Sequence, residues 1–197
     1  AGNDSILNKG NNASISGGNG RDYIQNDSNS KTKIDAGNDN DRIRSNNNRL
    51  STIIGGAGND SIYDTKGTSN SIIGGAGNDT IIDSQSSKNV ISGGIGNDII
   101  SLNSSNSRNA TINYTNGDGN DTIYGLGTDD VFNITNQVVT SSVRSGSSIV
   151  ISSYSSVRSG SDVVLTIGRG KVRLKNAFGK RLNINQIKTY KPTKNRI

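Results

Sequence analysis

Apolar positions recur along most of this chain at a nearly constant distance. Isoleucine stands at 6, 24, 43, 62, 81, 100 and 123, with spacings of 18, 19, 19, 19, 19 and 23 residues. Two residues before each Ile comes an aspartate: Asp4, Asp22, Asp41, Asp60, Asp79, Asp98 and Asp121. A second apolar series, Ile15, Ile34, Ile53, Ile72, Ile91 and finally Tyr114, lies seven residues before the later aspartates. A register kept through so many units, with a period near 20, predicts a solenoid.

Each 19-residue unit has room for two short strands and two turns. Stacked coils place the two Ile series in two internal ladders, with strands about 4.8 Å apart between coils. One turn is always "GGxGND" or a near relative. The other varies in sequence ("NNNR", "DTKGTS", "SQSSKN") and nearly always carries a cation, among them Lys9, Lys31, Arg49, Lys66, Lys88 and Arg108. The expected fold is all-β: a parallel β-roll or β-solenoid with coils of about 19 residues over 1–132, then a basic β-rich cap over 133–197.

The hexapeptide has a chemistry of its own. Its glycines permit positive φ and let the carbonyls of a tight turn converge, and the final Asp brings a carboxylate to the same place. Carbonyl and carboxylate oxygens are hard ligands that suit Ca²⁺ and fit zinc or copper poorly. The candidate metal residues of the first two complete turns are Gly17, Gly18, Gly20, Asp22 and Asp41. The regular turns add Gly55, Gly56, Gly58, Asp60, Gly74, Gly75, Gly77, Asp79, Gly93, Gly94, Gly96 and Asp98. The last turn adds Gly117, Gly119 and Asp121. As simple turns of a metal-free solenoid, the same sequences stack seven carboxylates about one strand spacing apart with nothing to offset their repulsion. An ion between coils removes that repulsion and couples binding to folding.

The stretches "GGAGNDSIY", "GGAGNDTII" and "GGIGNDIIS" resemble the GGxGxDxUx nonapeptide of the RTX (haemolysin-type) calcium-binding repeats, a likeness covering roughly residues 1–132. That resemblance implies a calcium-bound β-roll exported by a bacterium. The family usually sets nonapeptides back to back with ions on both edges. One motif per coil here predicts a single row, with the Lys- and Arg-bearing edge free of metal. Two turns depart from the pattern. The third reads "AGNDND", with Asp39 at a glycine position, and the last reads "NGDGND" after a four-residue insertion. Both predict weaker sites, at Asp41 and between Asp98 and Asp121. "YGLGTDDVF" follows as a closing turn with Asp129.

Composition narrows the reading further. Only 29% of residues are hydrophobic and 4% aromatic, too few for an ordinary globular core. Through Asp130 there are 15 Asp against 10 Lys and Arg; from Val131 there is one acid, Asp162, against 12 bases. The pI of 9.6 therefore averages two unlike parts, and nucleic acid is not the expected partner. Every acid is Asp, which suits turns and short-reach ligation better than helices. With no Cys there is no disulfide and no thiolate metal site.

No apolar run is long enough to span a membrane, and no signal peptide is evident. The chain lacks Met and opens on "AGND", the tail of the hexapeptide, so it is expected to be the C-terminal part of something longer.

After residue 132 the period disappears. "VVLTIGRGKVRLKN" predicts a hairpin turning at Gly168-Arg169-Gly170. "SSVRSGSSIVI" and "SSVRSGSDVVL" suggest a duplicated strand and turn. Regions of this kind in RTX proteins lie near a type I secretion signal. Arg169, Lys171, Arg173, Lys175, Lys180 and Arg181 form either a solubilising strand face or a patch for an anionic polysaccharide.

Without His, Cys or Glu, the chain cannot build a Ser-His-Asp triad, a zincin helix or a Cys nucleophile, so it is expected to be non-catalytic. The expected role is a calcium-binding structural body of a secreted surface, adhesin or filament protein, associating end to end. The alternative is the secretion and folding module of a secreted enzyme, such as a protease, lipase or polysaccharide epimerase, whose catalytic domain lies elsewhere.

Overall fold

The computed structural model describes residues 1–27, 30–103, 109–135, 155–159, 162–168, 170–176 and 183–187. Every regular element among them is a strand. The first coils supply β1 (Ser5–Asn8), β2 (Ser14–Asn19), β3 (Tyr23–Asp27), β4 (Lys33–Asn38), β5 (Arg42–Asn46) and β6 (Thr52–Ala57). The middle coils supply β7 (Ser61–Thr65), β8 (Ser71–Ala76), β9 (Thr80–Ser84), β10 (Val90–Ile95), β11 (Ile99–Asn103) and β12 (Thr111–Thr115). Then follow β13 (Asn120–Tyr124), β14 (Val131–Thr135), β15 (Ser155–Ser159), β16 (Asp162–Ile167), β17 (Gly170–Leu174) and β18 (Asn183–Ile187).

Each coil gives one strand to each of two parallel sheets, making a β-solenoid of about seven turns. The first sheet runs β1-β3-β5-β7-β9-β11-β13-β17-β16-β15, and the second runs β18-β14-β12-β10-β8-β6-β4-β2. The strict alternation of short strands decides what faces inward. Ile24, Ile43, Ile62, Ile81, Ile100 and Ile123 form one buried ladder, and Ile34, Ile53, Ile72, Ile91, Ile112 and Phe132 the facing one.

One expected ladder member is corrected. Ile112, not Tyr114, pairs with Ile91. The insertion is split between the two turns. Ile91 pairs with Ile112, and 112 − 91 = 21, so two extra residues enter the variable turn. Ile100 pairs with Ile123, and 123 − 100 = 23, so two more enter the motif turn. Tyr114 consequently stands in register with Gly93, facing inward.

The variable turn is regular in shape despite its sequence. Asn47, Lys66 and Gln85 all adopt φ near +55 to +57°, and Leu50, Ser69 and Lys88 follow at +54 to +59°. Parallel bridges join Ser30, Arg49, Thr68 and Ser87 from coil to coil.

The C-terminal strands extend the same two sheets. β17 adds to β13 and β18 adds to β14, both parallel. The division expected at 132/133 runs through β14. β16 and β17 form the expected antiparallel hairpin, closed by Ile167 opposite Gly170. The first "SSVRSGS" copy, Arg169, Lys180 and Arg181 lie outside the described residues. Among those described, no helix is long and apolar enough to cross a membrane.

Candidate metal centre

The alternation that turns Ile62 inward also turns inward the residues two before and two after it. Asp60, Ile62 and Asp64 thus share the interior face of one coil, as do Asp79, Ile81 and Asp83 of the next. Among the described residues, Asp22, Asp41, Asp60, Asp79, Asp98 and Asp121 are buried at the motif edge, and Asp64, Asp83 and Asp130 at the variable edge.

At the motif edge the carboxylates form a continuous ladder. The Asp22 N–H donates to Asp41 Oδ1 at 2.7 Å, Asp41 to Asp60 at 2.8 Å, Asp60 to Asp79 at 2.8 Å and Asp79 to Asp98 at 2.8 Å. Asp98 in turn donates to Asp121 Oδ1 at 3.0 Å. Each Oδ1 thus takes one backbone proton. The partner oxygens, Oδ2 of Asp22, Asp41, Asp60, Asp79 and Asp98, are buried and accept nothing. Buried acceptors without donors are costly, and a uniform series of them points to a missing positive group.

The glycines explain how these oxygens are accommodated. A Cβ on Gly55 would overlap Asp60 Oδ2 and crowd the Gly74 carbonyl, and one on Gly74 would meet Asp79 Oδ2 and the Gly93 carbonyl. Gly17 and Gly93 stand in the same relation to Asp22 and Asp98. The first glycine is therefore required for space: it leaves a cradle bounded by a carboxylate oxygen of one coil and a carbonyl of the next. The other two are required for conformation. Gly56 and Gly58 sit at φ +119° and +130°, and Gly75 and Gly77 at +128°, each stacked tightly on its counterpart in the preceding coil. Gly18, Gly20, Gly94 and Gly96 share that conformation. The motif asparagines clip the turns from outside: Asn40 Oδ1 accepts from Asn59 N–H, Asn59 from Asn78 and Asn78 from Asn97, all at 2.7–2.8 Å.

The electrostatics agree with the orphaned oxygens. Burial pushes Asp41, Asp60 and Asp79 up to about 6, with repulsion from neighbouring carboxylates adding and the backbone N–H opposing. Asp98 rises to about 7 and Asp121 to about 6, again chiefly by burial. Among the described residues no three acidic side chains gather at one point, so most ligands of any ion must be backbone carbonyls. An all-oxygen set of carbonyls with a shared carboxylate fits calcium.

Three departures affect this row. Ala36 stands in register with Gly17 and Gly55 and is fully buried, so a methyl group lies where the other cradles are open. Asp39 takes the place of a conformational glycine at φ +78°, and its Oδ2 accepts the Gly20 N–H at 3.0 Å. In the last turn Gly119 stacks on Gly96, whereas a Cβ on Gly117 would meet nothing within 4 Å. At the closing turn it is Asp130, not Asp129, that points inward, accepting from Ala110 and Gly127 N–H at 2.8 and 2.9 Å.

The variable edge holds carboxylates of another kind. Asp64 is fully buried, its Oδ1 accepting Ser45 Oγ at 2.6 Å and its Oδ2 accepting Asn70 and Asn89 Nδ2 at 3.1 and 2.8 Å. Asn89 Nδ2 also reaches Asp83 Oδ1 at 3.0 Å. Burial raises both groups, and these hydrogen bonds work against it. The signal that marks this edge in the sequence is the polar residue two places before or after each ladder Ile.

The RTX calcium-binding nonapeptide repeat family matches the chain in four copies, at residues 51–81, 64–86, 82–106 and 117–133. No curated protein matches. Among solved structures, the extracellular lipase LipA from Serratia marcescens is similar at 14% identity and a TM-score of 0.34. That match covers 73% of this chain, which spans 37% of the lipase's length. RTX repeats bind calcium, and the motif turns of this row fall within the matched segments from Gly55 onward.

Proposed function

We propose that this chain, which carries four copies of the RTX calcium-binding nonapeptide repeat, serves outside the cell as a structural body that folds on meeting calcium. In this reading it forms part of a surface, adhesin or filament protein and does no catalysis. The observation carrying it is the series of five buried Oδ2 atoms without a donor, from Asp22 to Asp98. Export unfolded, followed by folding in a calcium-rich medium, suits a fold whose interior charge is completed only by the ion. The sites are those of the Asp22, Asp41, Asp60, Asp79 and Asp98 turns, with the glycine carbonyls of the same and following turns as further ligands.

Circular dichroism during a calcium titration tests this directly. The β signal should be weak in chelator and rise cooperatively with calcium. A β spectrum unchanged by exhaustive chelation rejects the folding switch.

For the basic region we propose an anionic polysaccharide as partner. Lys171 and Arg173 are exposed on β17, with Lys175 following on the same face. Asp162 pairs with Arg173 at 3.2 Å and Lys175 at 2.8 Å, so only part of the positive charge is free for a ligand. Lys171→Ala with Arg173→Ala should weaken binding to a polyuronate; unchanged retention on that polymer removes the idea.

A further inference from the structure

Tyr114 is the first large side chain in a column that up to that point is glycine and alanine, and Ile134 follows it. The column runs Gly17, Ala36, Gly55, Gly74 and Gly93, and the pairing of Ser92 with Asn113 puts Tyr114 next in it. At Gly17, Gly55, Gly74 and Gly93 an aspartate oxygen lies where a Cβ would stand, and at Ala36 a methyl group stands there. Tyr114 instead carries a ring into the interior, where it is 1% exposed and lies 6.5 Å from the Phe132 ring.

The local chain makes room for it. Two extra residues turn the single Gly94 step into Thr115-Asn116-Gly117, closed by Asp118 N–H to the Thr115 carbonyl at 2.9 Å. Asp118 Oδ2 accepts the Thr115 N–H at 2.6 Å. The Tyr114 hydroxyl donates to the Gly119 carbonyl at 2.8 Å. Gly119 stacks on Gly96, so that carbonyl belongs to the last member of the third-glycine column. On the far side, a Cβ on Gly170 would collide with the same hydroxyl. The tyrosine therefore fills the space between the last motif turn and the hairpin that follows.

The run of orphaned oxygens stops at the same point. Oδ2 of Asp22, Asp41, Asp60, Asp79 and Asp98 all lack a donor, and that of Asp121 is not among them. From these observations we infer that Tyr114 is the terminator of the calcium row. Its ring occupies the position that is left open in the earlier cradles, and its hydroxyl anchors it to the Gly119 carbonyl. This rests on calcium filling the earlier cradles. Asp121 then serves the row only from one side, through the Asp98 turn.

The test counts bound calcium per chain by elemental analysis after gel filtration, with folding followed by circular dichroism. Tyr114→Phe keeps the ring and should bind as many ions as the natural chain. Tyr114→Gly reopens the cradle and should bind one more. The reciprocal Gly74→Tyr places a plug in mid-row and should bind at least one fewer, and it carries the test if Tyr114→Gly loses its β spectrum. A folded Tyr114→Gly with an unchanged count overturns the assignment. So does a gain in Tyr114→Phe, or an unchanged count in Gly74→Tyr. A natural chain that binds no calcium overturns instead the calcium reading beneath it.

Discussion

Asp60 and Asp64 lie four residues apart on the same inner face, yet their carboxylates are completed in opposite ways. Asp60 is at the motif edge, where a backbone N–H satisfies one oxygen and the other is left bare. Asp64 is at the variable edge, where a serine and two asparagines satisfy both oxygens. Burial alone therefore does not make a metal site. What distinguishes the two edges is whether the interior brings donors to the carboxylate or brings more acceptors. Beside Asp60 the cradle is shared with the Gly74 carbonyl, a further acceptor that a cation would answer; at Asp64 two amides and a hydroxyl already complete the carboxylate.

Substitutions should separate the two edges by their readouts. Asp79→Ala removes a carboxylate from a stacked row of ligands. We expect loss of at least one ion and a cost on the order of 3–5 kcal/mol in saturating calcium, as for breaking a buried charge pair. Asp64→Ala leaves three buried donors unanswered, costing about 2–3 kcal/mol, with the calcium count unchanged. Equal losses of calcium in the two variants would show that the ligand set has been misassigned.

Acidity gives a smaller effect with a definite sign. The motif carboxylates of the metal-free roll have been raised from 3.8 to about 6, and Asp98 to about 7. A group raised on folding stabilises most below its unfolded value and loses that contribution as pH rises through its folded value. Without calcium, the roll should therefore keep more β signal at pH ~5 than at pH ~8. With calcium the dependence reverses, because protons compete for the same oxygens. A chelated protein that loses β signal on acidification contradicts this.

The smallest expected change is at the flawed cradle. Ala36→Gly should tighten the weakest calcium site by roughly threefold, below ~1 kcal/mol. A calorimetric titration showing no tightening would mean the methyl group does not reach the ion.

How much of this was legible in the sequence differs between the same two edges. The Ile ladders and the Asp turn repeat one residue type at one spacing, so the period exposes them directly. The variable edge uses Asn, Ser, Thr and Asp interchangeably, and its contacts cross coils, as between Asn89 and Asp64. Degenerate residue choice and long-range partners hide such a ladder from a motif search. Tyr114 was misplaced because it is apolar and lies seven before Asp121, while the insertion that displaces it divides between two turns. The Gly168 hairpin was legible from its glycines. That β17 and β18 extend the parallel sheets was not, since those pairings join distant segments.

Anomalous scattering from crystals grown in calcium would test the central claim most directly, because it locates each ion without reference to stability. The expected map has one line of peaks beside the Asp22–Asp98 series, spaced about 4.8 Å apart, ending before Tyr114. A peak beside Asp64, Lys66 or Lys88, or a motif edge without peaks, would contradict the one-row account.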